Sequence, residues 1–273
     1  MKTIADTLEV ARSNINLEKQ KLKARYTKLD DDWLLPMIKK ITDGRPSCGY
    51  RRVTALLSLE LLSQGKMAVN HKRVYRIMRA SKLLLQRHTG RPTQTHDGKI
   101  ITLKSNLRWC SDGFKIRCWS GEKVQVAFSL DCCDREAMSY VATTGGISGE
   151  MIRDLMMESV EYRFGAGTTI VPHLMQWLSD NGPPYIAHET REFGRSLGFI
   201  VCNTPSYSPE SNGMAEAFVK TFKRDYVYLN RLENAETVLA QLPGWFEDYN
   251  EKAPHKSLKM KSPRQFRRIN AVG

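Results

Sequence analysis

The sequence predicts an α/β protein: a mixed five-stranded sheet with flanking helices, preceded by a small all-α domain. Three observations carry this. Apolar spacing is helical up to about residue 84, strand-like runs mixed with helices follow residue 106, and helical patterns return after residue 210. Positive charge is one-sided, since residues 1–105 hold 22 Lys and Arg against 9 Asp and Glu, whereas residues 106–273 hold 20 of each. Between the two regimes, residues 85–105 lack any period and are rich in Gly, Pro, Thr and basic groups, as a linker is.

Composition narrows the class. A hydrophobic content of 41% supports a packed core, and no apolar run approaches the roughly 18 residues of a membrane span. Met1–Asp6 lacks the apolar core of a signal peptide, so a soluble, cytoplasmic chain is expected. The six cysteines form no Cys-x-x-Cys pair and the six histidines no His-x3-5-His pair, which argues for reduced, structural thiols. The net charge of +13 therefore belongs to the N-terminal part. A basic module joined to a neutral one points to polyanion binding in the first and another task in the second. A solvated basic surface is the plainer alternative.

Residues 1–30 read as an N-terminal helical segment, with Ile4, Leu8, Ile15 and Leu22 among many charges. Asp30-Asp31-Asp32 resembles an N-cap cluster before the helix that begins near Trp33. The turn cluster Gly44–Gly49 precedes a helix through about residue 64, and Gly65 breaks it. Asn70 then caps a basic helix in which Val74, Ile77 and Met78 face inward and Lys72, Arg73, Arg76 and Arg79 face outward. Two helices with a short break, the second basic, make residues 31–84 a helix-turn-helix-like DNA-binding domain. The basic linker, residues 85–105, is expected to lie on DNA phosphates.

From residue 106 the expected strands are Trp109–Trp119, Val124–Leu130 and Ala137–Thr144, with a hairpin turn at Gly121-Glu122. An amphipathic helix follows at Ser148–Phe164, then a strand at Leu174–Leu178, a helix at His188–Leu197, and a strand at Phe199–Cys202. Helices at about 210–228 and 235–250 complete residues 106–273. This is the element order of a ribonuclease-H-like domain.

Three carboxylates stand out within it. Asp112 lies in an apolar strand, where a charge is costly unless paired or bound to a cation. Asp180 ends a short apolar strand before the turn Asn181-Gly182, and Glu216 sits in a helix, with 35 residues between the two. A strand, a strand end and a helix can converge on one point, and converging negative charges call for Mg²⁺ or Mn²⁺, in two ions if phosphodiester chemistry is the task. Glu216, Lys220 and Lys223 share one helix face, which suits the lysines to phosphates. Asn212-Gly213 and Ser208 precede that helix and are placed to approach DNA. Singly, each signal has a plainer source: a turn, a solvated Glu-Lys pair, a hydrogen-bonded strand Asp.

At these residues the chain resembles the DDE transposases of bacterial insertion sequences, of the OrfB type related to retroviral integrases. The resemblance runs from about Gly49 to the C-terminus. It is carried by Gly49-Tyr50-Arg51-Arg52-Val53, Asn70–Arg76, Trp109-Cys110-Ser111-Asp112, Asp180-Asn181-Gly182, Ser208–Gly213 with Glu216, Tyr249-Asn250 with His255, and Pro263-Arg264. It implies an Asp112, Asp180 and Glu216 triad that binds metal, with Lys223 at the family's basic position and Arg51 and Arg52 among the DNA contacts. It also implies terminal inverted repeats and target DNA as substrates, a homo-oligomer as active form, a circular DNA intermediate, and an upstream OrfA product or fusion as partner. A cytoplasmic, nucleoid-associated location goes with that. The chain departs from the family in having Gly113-Phe114 after Asp112, where most members have Ile or Leu and then Thr. Two other readings stay open: a catalytically silent DNA-binding regulator or remnant, and a different ribonuclease-H-like nuclease.

Overall fold

A computed structural model describes residues 7, 31–86, 102, 104–203 and 213–270. The expected N-terminal helical segment, most of the linker, Ser208 and Asn212 lie outside the described residues.

Three helices come first: α1 (Leu34–Gly44), α2 (Tyr50–Ser63) and α3 (His71–Ala80). They bury Leu34, Ile38, Val53, Leu57, Leu61, Val74, Ile77 and Met78 together. Asn70 caps α3, its side chain accepting from the Lys72 N–H at 2.9 Å, and Gly65 leaves α2 with φ +70°. Asp31, in the acidic cluster before α1, does something other than capping. No side chain caps α1, and Asp31 instead accepts from Arg73 (2.7 Å) and Arg76 of α3. Those two arginines, expected to face outward, are half-buried on this carboxylate. An anionic partner nearby in space outweighs the outward position that helical periodicity assigns.

The second part is one mixed sheet of order β3-β2-β1-β4-β5, formed by β1 (Arg108–Arg117), β2 (Lys123–Asp131), β3 (Ala137–Thr143), β4 (Met175–Ser179) and β5 (Phe199–Asn203). β1–β2 and β2–β3 are antiparallel, and β1–β4 and β4–β5 parallel. One face carries α4 (Gly149–Phe164) and α6 (His188–Ser196) over Trp109, Ala127, Met138 and Trp177. The other carries α7 (Gly213–Asp225) and α8 (Ala235–Glu251) over Cys110, Phe114, Ile116, Phe128 and Leu178. The alternating side chains of the strands thus feed two cores. Two short helices were not anticipated: α5 (Pro183–Ile186) and α9 (Pro263–Asn270). Each is too short for its apolar period to register. All six cysteines are free thiols.

A buried ionic cluster closes the sheet end beyond β2. Asp131, Asp134 and Glu136 are fully buried around Arg163 of α4, which reaches Asp134 at 3.0 Å and Glu136 at 3.3 Å. Arg264 and Arg267 of α9 reach Glu136 from outside at 3.0 and 2.8 Å, so three guanidinium groups meet three carboxylates. Asn250 of α8 clamps the start of β3, accepting from the Ala137 N–H and donating to its carbonyl at 2.9 and 2.8 Å. Tyr249 donates to the Arg135 carbonyl at 3.1 Å, and the His255 ring lies 4.9 Å from the Tyr249 ring. The motif residues Tyr249, Asn250, His255 and Arg264 therefore hold the fold.

The helical module is tied to the second part. Arg52 pairs with Asp225 at the end of α7 (2.9 Å), the Ser47 hydroxyl donates to the same carboxylate (2.7 Å), and Arg45 pairs with Asp248 of α8. Burial pushes Asp225 up, but Arg224, Arg52 and Ser47 more than offset this and hold its carboxyl below the usual range.

Candidate active site

Register positions the first two carboxylates. In the parallel β1–β4 pair, Trp109 lies level with Trp177 and Cys110 with Leu178. Two residues further on stand Asp112, within β1, and Asp180, just past the end of β4; alternation along β1 puts Asp112 on the side occupied by Cys110. That is the side covered by α7. There Ala215, Phe218 and Phe222 are buried against the sheet, with Phe218 4.3 Å from Phe128 and Phe222 5.7 Å from Phe114, ring to ring. Glu216, next to Ala215, is half-exposed and pairs with Lys220 at 3.4 Å.

Asp112 senses the other two carboxylates. Asp112's carboxyl is pushed up to about 6, first by burial and then by the negative charges of Asp180 and Glu216, against a lowering hydrogen bond from the Gly113 N–H. That bond, at 2.7 Å, is a single donor for a carboxylate with room for more. Among the described residues no three Asp, Glu, His or Cys side chains are gathered tightly enough to hold an ion as they stand. In charge and donor type, carboxylates such as Asp112, Asp180 and Glu216 are the ligands a hard divalent cation takes.

The turn after Asp180 is built around it. The Gly182 N–H donates to Asp180 at 3.0 Å, and Asn203 of β5 donates to the Asp180 carbonyl at 3.0 Å. A Cβ on Gly182 would stand 3.1 Å from the Asp180 carboxylate, close enough that the carboxylate would have to give way by a few tenths of an ångström. Tyr185, on α5, is buried, and its hydroxyl meets that of Ser111 at 3.1 Å. Burial chiefly, and the charges of Asp112 and Asp180, hold its phenol well above the usual range. Tyr185, Ser111 and Asn203 thus support the site, and sequence reading missed all three. Ser111, adjacent to Asp112, was the one signal within reach.

The expected DNA-binding residues divide. Lys223 lies over the Phe114 ring, its ammonium 5.7 Å from the centroid, so Phe114, the departure from the family pattern, packs beside the site. Lys72 and Arg79 are exposed and make no ion pair among the described residues. Arg51 is exposed and donates to the Tyr50 hydroxyl at 3.0 Å. Arg52, Arg73 and Arg76 are occupied by Asp225 and Asp31 as described.

Two models of an integrase core domain match residues 103–209 and 200–263, and a model of a helix-turn-helix-like domain matches residues 28–91. The chain is 46% identical over 251 residues to the Escherichia coli transposase InsD for insertion element IS2A/D/F/H/I/K, covering 91% of this chain and 82% of the relative. It belongs to the insertion-element transposases. The InsD transposase for insertion element IS2-9, also from Escherichia coli, matches at the same identity and covers 80% of its length. Among solved structures, the simian T-cell lymphotropic virus intasome in complex with PP2A regulatory subunit B56 gamma aligns with TM-score 0.50 at 16% identity, over 84% of this chain and 73% of that one. That likeness is one of fold, with a ribonuclease-H-like core in common.

As a transposase with a helix-turn-helix-like domain, the protein binds DNA, and its integrase-type core is that of a divalent-metal-dependent polynucleotidyl transferase. No helix among the described residues is long and apolar enough to cross a membrane. Substituting Gly182→Ala in this transposase should displace the Asp180 carboxylate by a few tenths of an ångström. Single-turnover DNA cleavage is expected to fall roughly ten- to a hundredfold, with the thermal midpoint moving by no more than a few degrees. Unchanged cleavage would show that the close approach has no bearing on the site.

Proposed function

We propose that this transposase cuts the ends of its element and joins the freed 3′-hydroxyl groups to target DNA, with Asp112, Asp180 and Glu216 holding one or two Mg²⁺ or Mn²⁺ ions. The observation that supports this is the β1–β4 register, which sets Cys110 level with Leu178, two residues before Asp112 and Asp180, together with the effect of the Asp180 and Glu216 charges on the Asp112 carboxyl. Held by those carboxylates, such an ion would supply activation of the attacking oxygen and compensation of charge on the leaving one. The chain's own residues do the rest. Asp112, Asp180 and Glu216 offer oxygen ligands from a strand, a strand end and a helix. Tyr185 and Ser111 brace the first two from beneath, and Asn203 and Gly182 fix the Asp180 turn. Lys220 and Lys223, on the face of α7 that carries Glu216, hold phosphates beside the scissile one, with Asn212 at the approach to that helix. Lys72, Arg79 and Arg51 grip the terminal inverted repeat, within a domain arrangement of 31–84 for DNA binding, 85–105 as basic linker and 106–273 for catalysis.

The active form is a homo-oligomer in the bacterial cytoplasm, associated with the nucleoid and working with an upstream OrfA product. The test is Asp180→Asn in the purified chain, with DNA carrying the element ends and Mg²⁺ or Mn²⁺. Cleavage and joining are both expected to disappear while DNA binding by gel shift persists. Retained joining would refute the assignment. A wild-type chain that binds DNA and never cleaves it would leave the regulator reading in its place.

A further inference from the structure

The helical module and the sheet have separate apolar cores. The module's core holds Leu34, Leu57, Val74 and Met78, and none of these joins either core of the sheet. What ties the two parts is polar. Arg45 and Ser47, from the turn between α1 and α2, and Arg52, from the first turn of α2, reach Asp248 and Asp225. The module's own fold does not call for Arg52. With Arg51 it puts two cations and no carboxylate into the first turn of α2, where the helix dipole disfavours cations. The missing carboxylate comes from α7. There the Asp225 side chain is 4% exposed and its partner Arg52 16%.

The place where this tie lands gives it a use. Asp225 is the last residue of α7 and Glu216 lies in its first turn, so the two mark the ends of one 13-residue rod about 20 Å long. Phe218 and Phe222, between them, pack on Phe128 and Phe114 of the sheet and hold the rod in place. On the module's side, the tie uses the α1–α2 turn and leaves Lys72 and Arg79 of α3 exposed. The covalent link fixes little, since residues 85–105 fully extended would reach about 70 Å. Among the described residues, the placement of α3 relative to Glu216 therefore rests on side-chain pairs.

We propose that Arg52 and Asp225 are a positioning pair for strand cleavage: by locking the module to α7 they set which phosphodiester of the bound DNA meets Asp112, Asp180 and Glu216. The inference rests on the catalytic reading above. DNA held by Lys72 and Arg79 is then carried on the same rigid body as Glu216, and the cut falls at a fixed offset from those contacts. Arg224 donates to both oxygens of Asp225, at 2.7 and 2.9 Å, so losing Arg52 loosens the module without stripping α7 of its ion pair.

The test maps cut positions on end-labelled DNA carrying the element ends, nucleotide by nucleotide, for the full chain and for Arg52→Gln and Asp225→Asn. The wild type is expected to cut one phosphodiester per end. In both variants the cuts should spread over neighbouring phosphodiesters, with the rate at the original position falling roughly tenfold. Arg52→Lys should restore the single position, because Arg52 uses one nitrogen on Asp225 and its Nε is buried without a partner. Asp248→Asn loosens the second tie at a more exposed carboxylate and should spread the cuts even if the Asp225 variant folds poorly. A single cut position at a lower rate would reduce the pair to a stabilising contact and overturn the proposal, as would an unchanged position and rate. Gel shifts in chelator should keep their salt slope in Asp225→Asn. A slope steeper by about one, with tighter binding, would put the released Arg52 on DNA and overturn the proposal too. Absence of cleavage by the wild type would strike the catalytic reading instead. Small-angle scattering in chelator would then decide the tie: the radius of gyration is expected to rise in Asp225→Asn/Asp248→Asn, and an unchanged radius would sink the lock.

Discussion

Asp112→Asn is expected to lower cleavage and joining by at least about a thousandfold while making the metal-free protein more stable at neutral pH. The two effects have one source. Burial, then Asp180 and Glu216, hold the Asp112 carboxyl at about 6, against a usual value of 3.8. Between those pH values the folded chain keeps a proton that the unfolded chain has released. Stability therefore falls as pH rises through that window and stays lowered above it. Asparagine has no charge to desolvate and no like-charge neighbours to meet. A displacement of about two pH units corresponds to roughly 3 kcal/mol, and partial exposure of the carboxyl cuts this to about 1–2 kcal/mol. Urea denaturation in chelator should show that gain at pH 7 and none near pH 4. A variant no more stable than wild type at pH 7 would rule out the burial account. Loss of activity without a gain in stability would leave the catalytic assignment standing on the kinetics alone.

The second large effect is structural. Arg163→Met should destabilise the protein by about 3–5 kcal/mol, because it leaves Asp131, Asp134 and Glu136 buried with their central cation gone. Arg264 and Arg267 reach Glu136 but make no ion pair with Asp134 among the described residues. Burial and the neighbouring Asp134 already push the Asp131 carboxyl up to about 6, with Arg163 opposing them. Without Arg163 the carboxyl is expected to rise further, and the loss of stability should shrink as pH drops and the acids take up protons. Adding Asp134→Asn to Arg163→Met should recover part of the loss. Equal stability of Arg163→Met and wild type at pH 7 would mean that the cluster is solvated in the folded state.

Much of the fold was legible because strand and helix periods are local. Trp109–Trp119 read as strand-like, and β1 is the strand Arg108–Arg117. Asp180-Asn181-Gly182 announced a turn, and Asp112 announced itself by being charged in an apolar strand. Other features depend on partners distant in sequence. Arg52 reads as an outward cation until Asp225, far along the chain, is seen to take it up. Arg73 and Arg76 follow the same pattern with Asp31. Tyr185 carries no local mark of its contact with Ser111, and α5 and α9 are too short to show a period.

The amino-acid order by itself determined the character of each segment: a basic helical part, a mixed sheet, and three acids at places where an acid is costly. Those follow from side-chain chemistry and neighbour spacing, which act over a few residues. Only the tertiary structure decided which strand lies beside which, and hence that Cys110 and Leu178, two residues before Asp112 and Asp180, stand level, and which arginines face inward. Such choices depend on packing and charge pairing between segments tens to hundreds of residues apart, where the energy of a contact exists only once the chain has closed on itself.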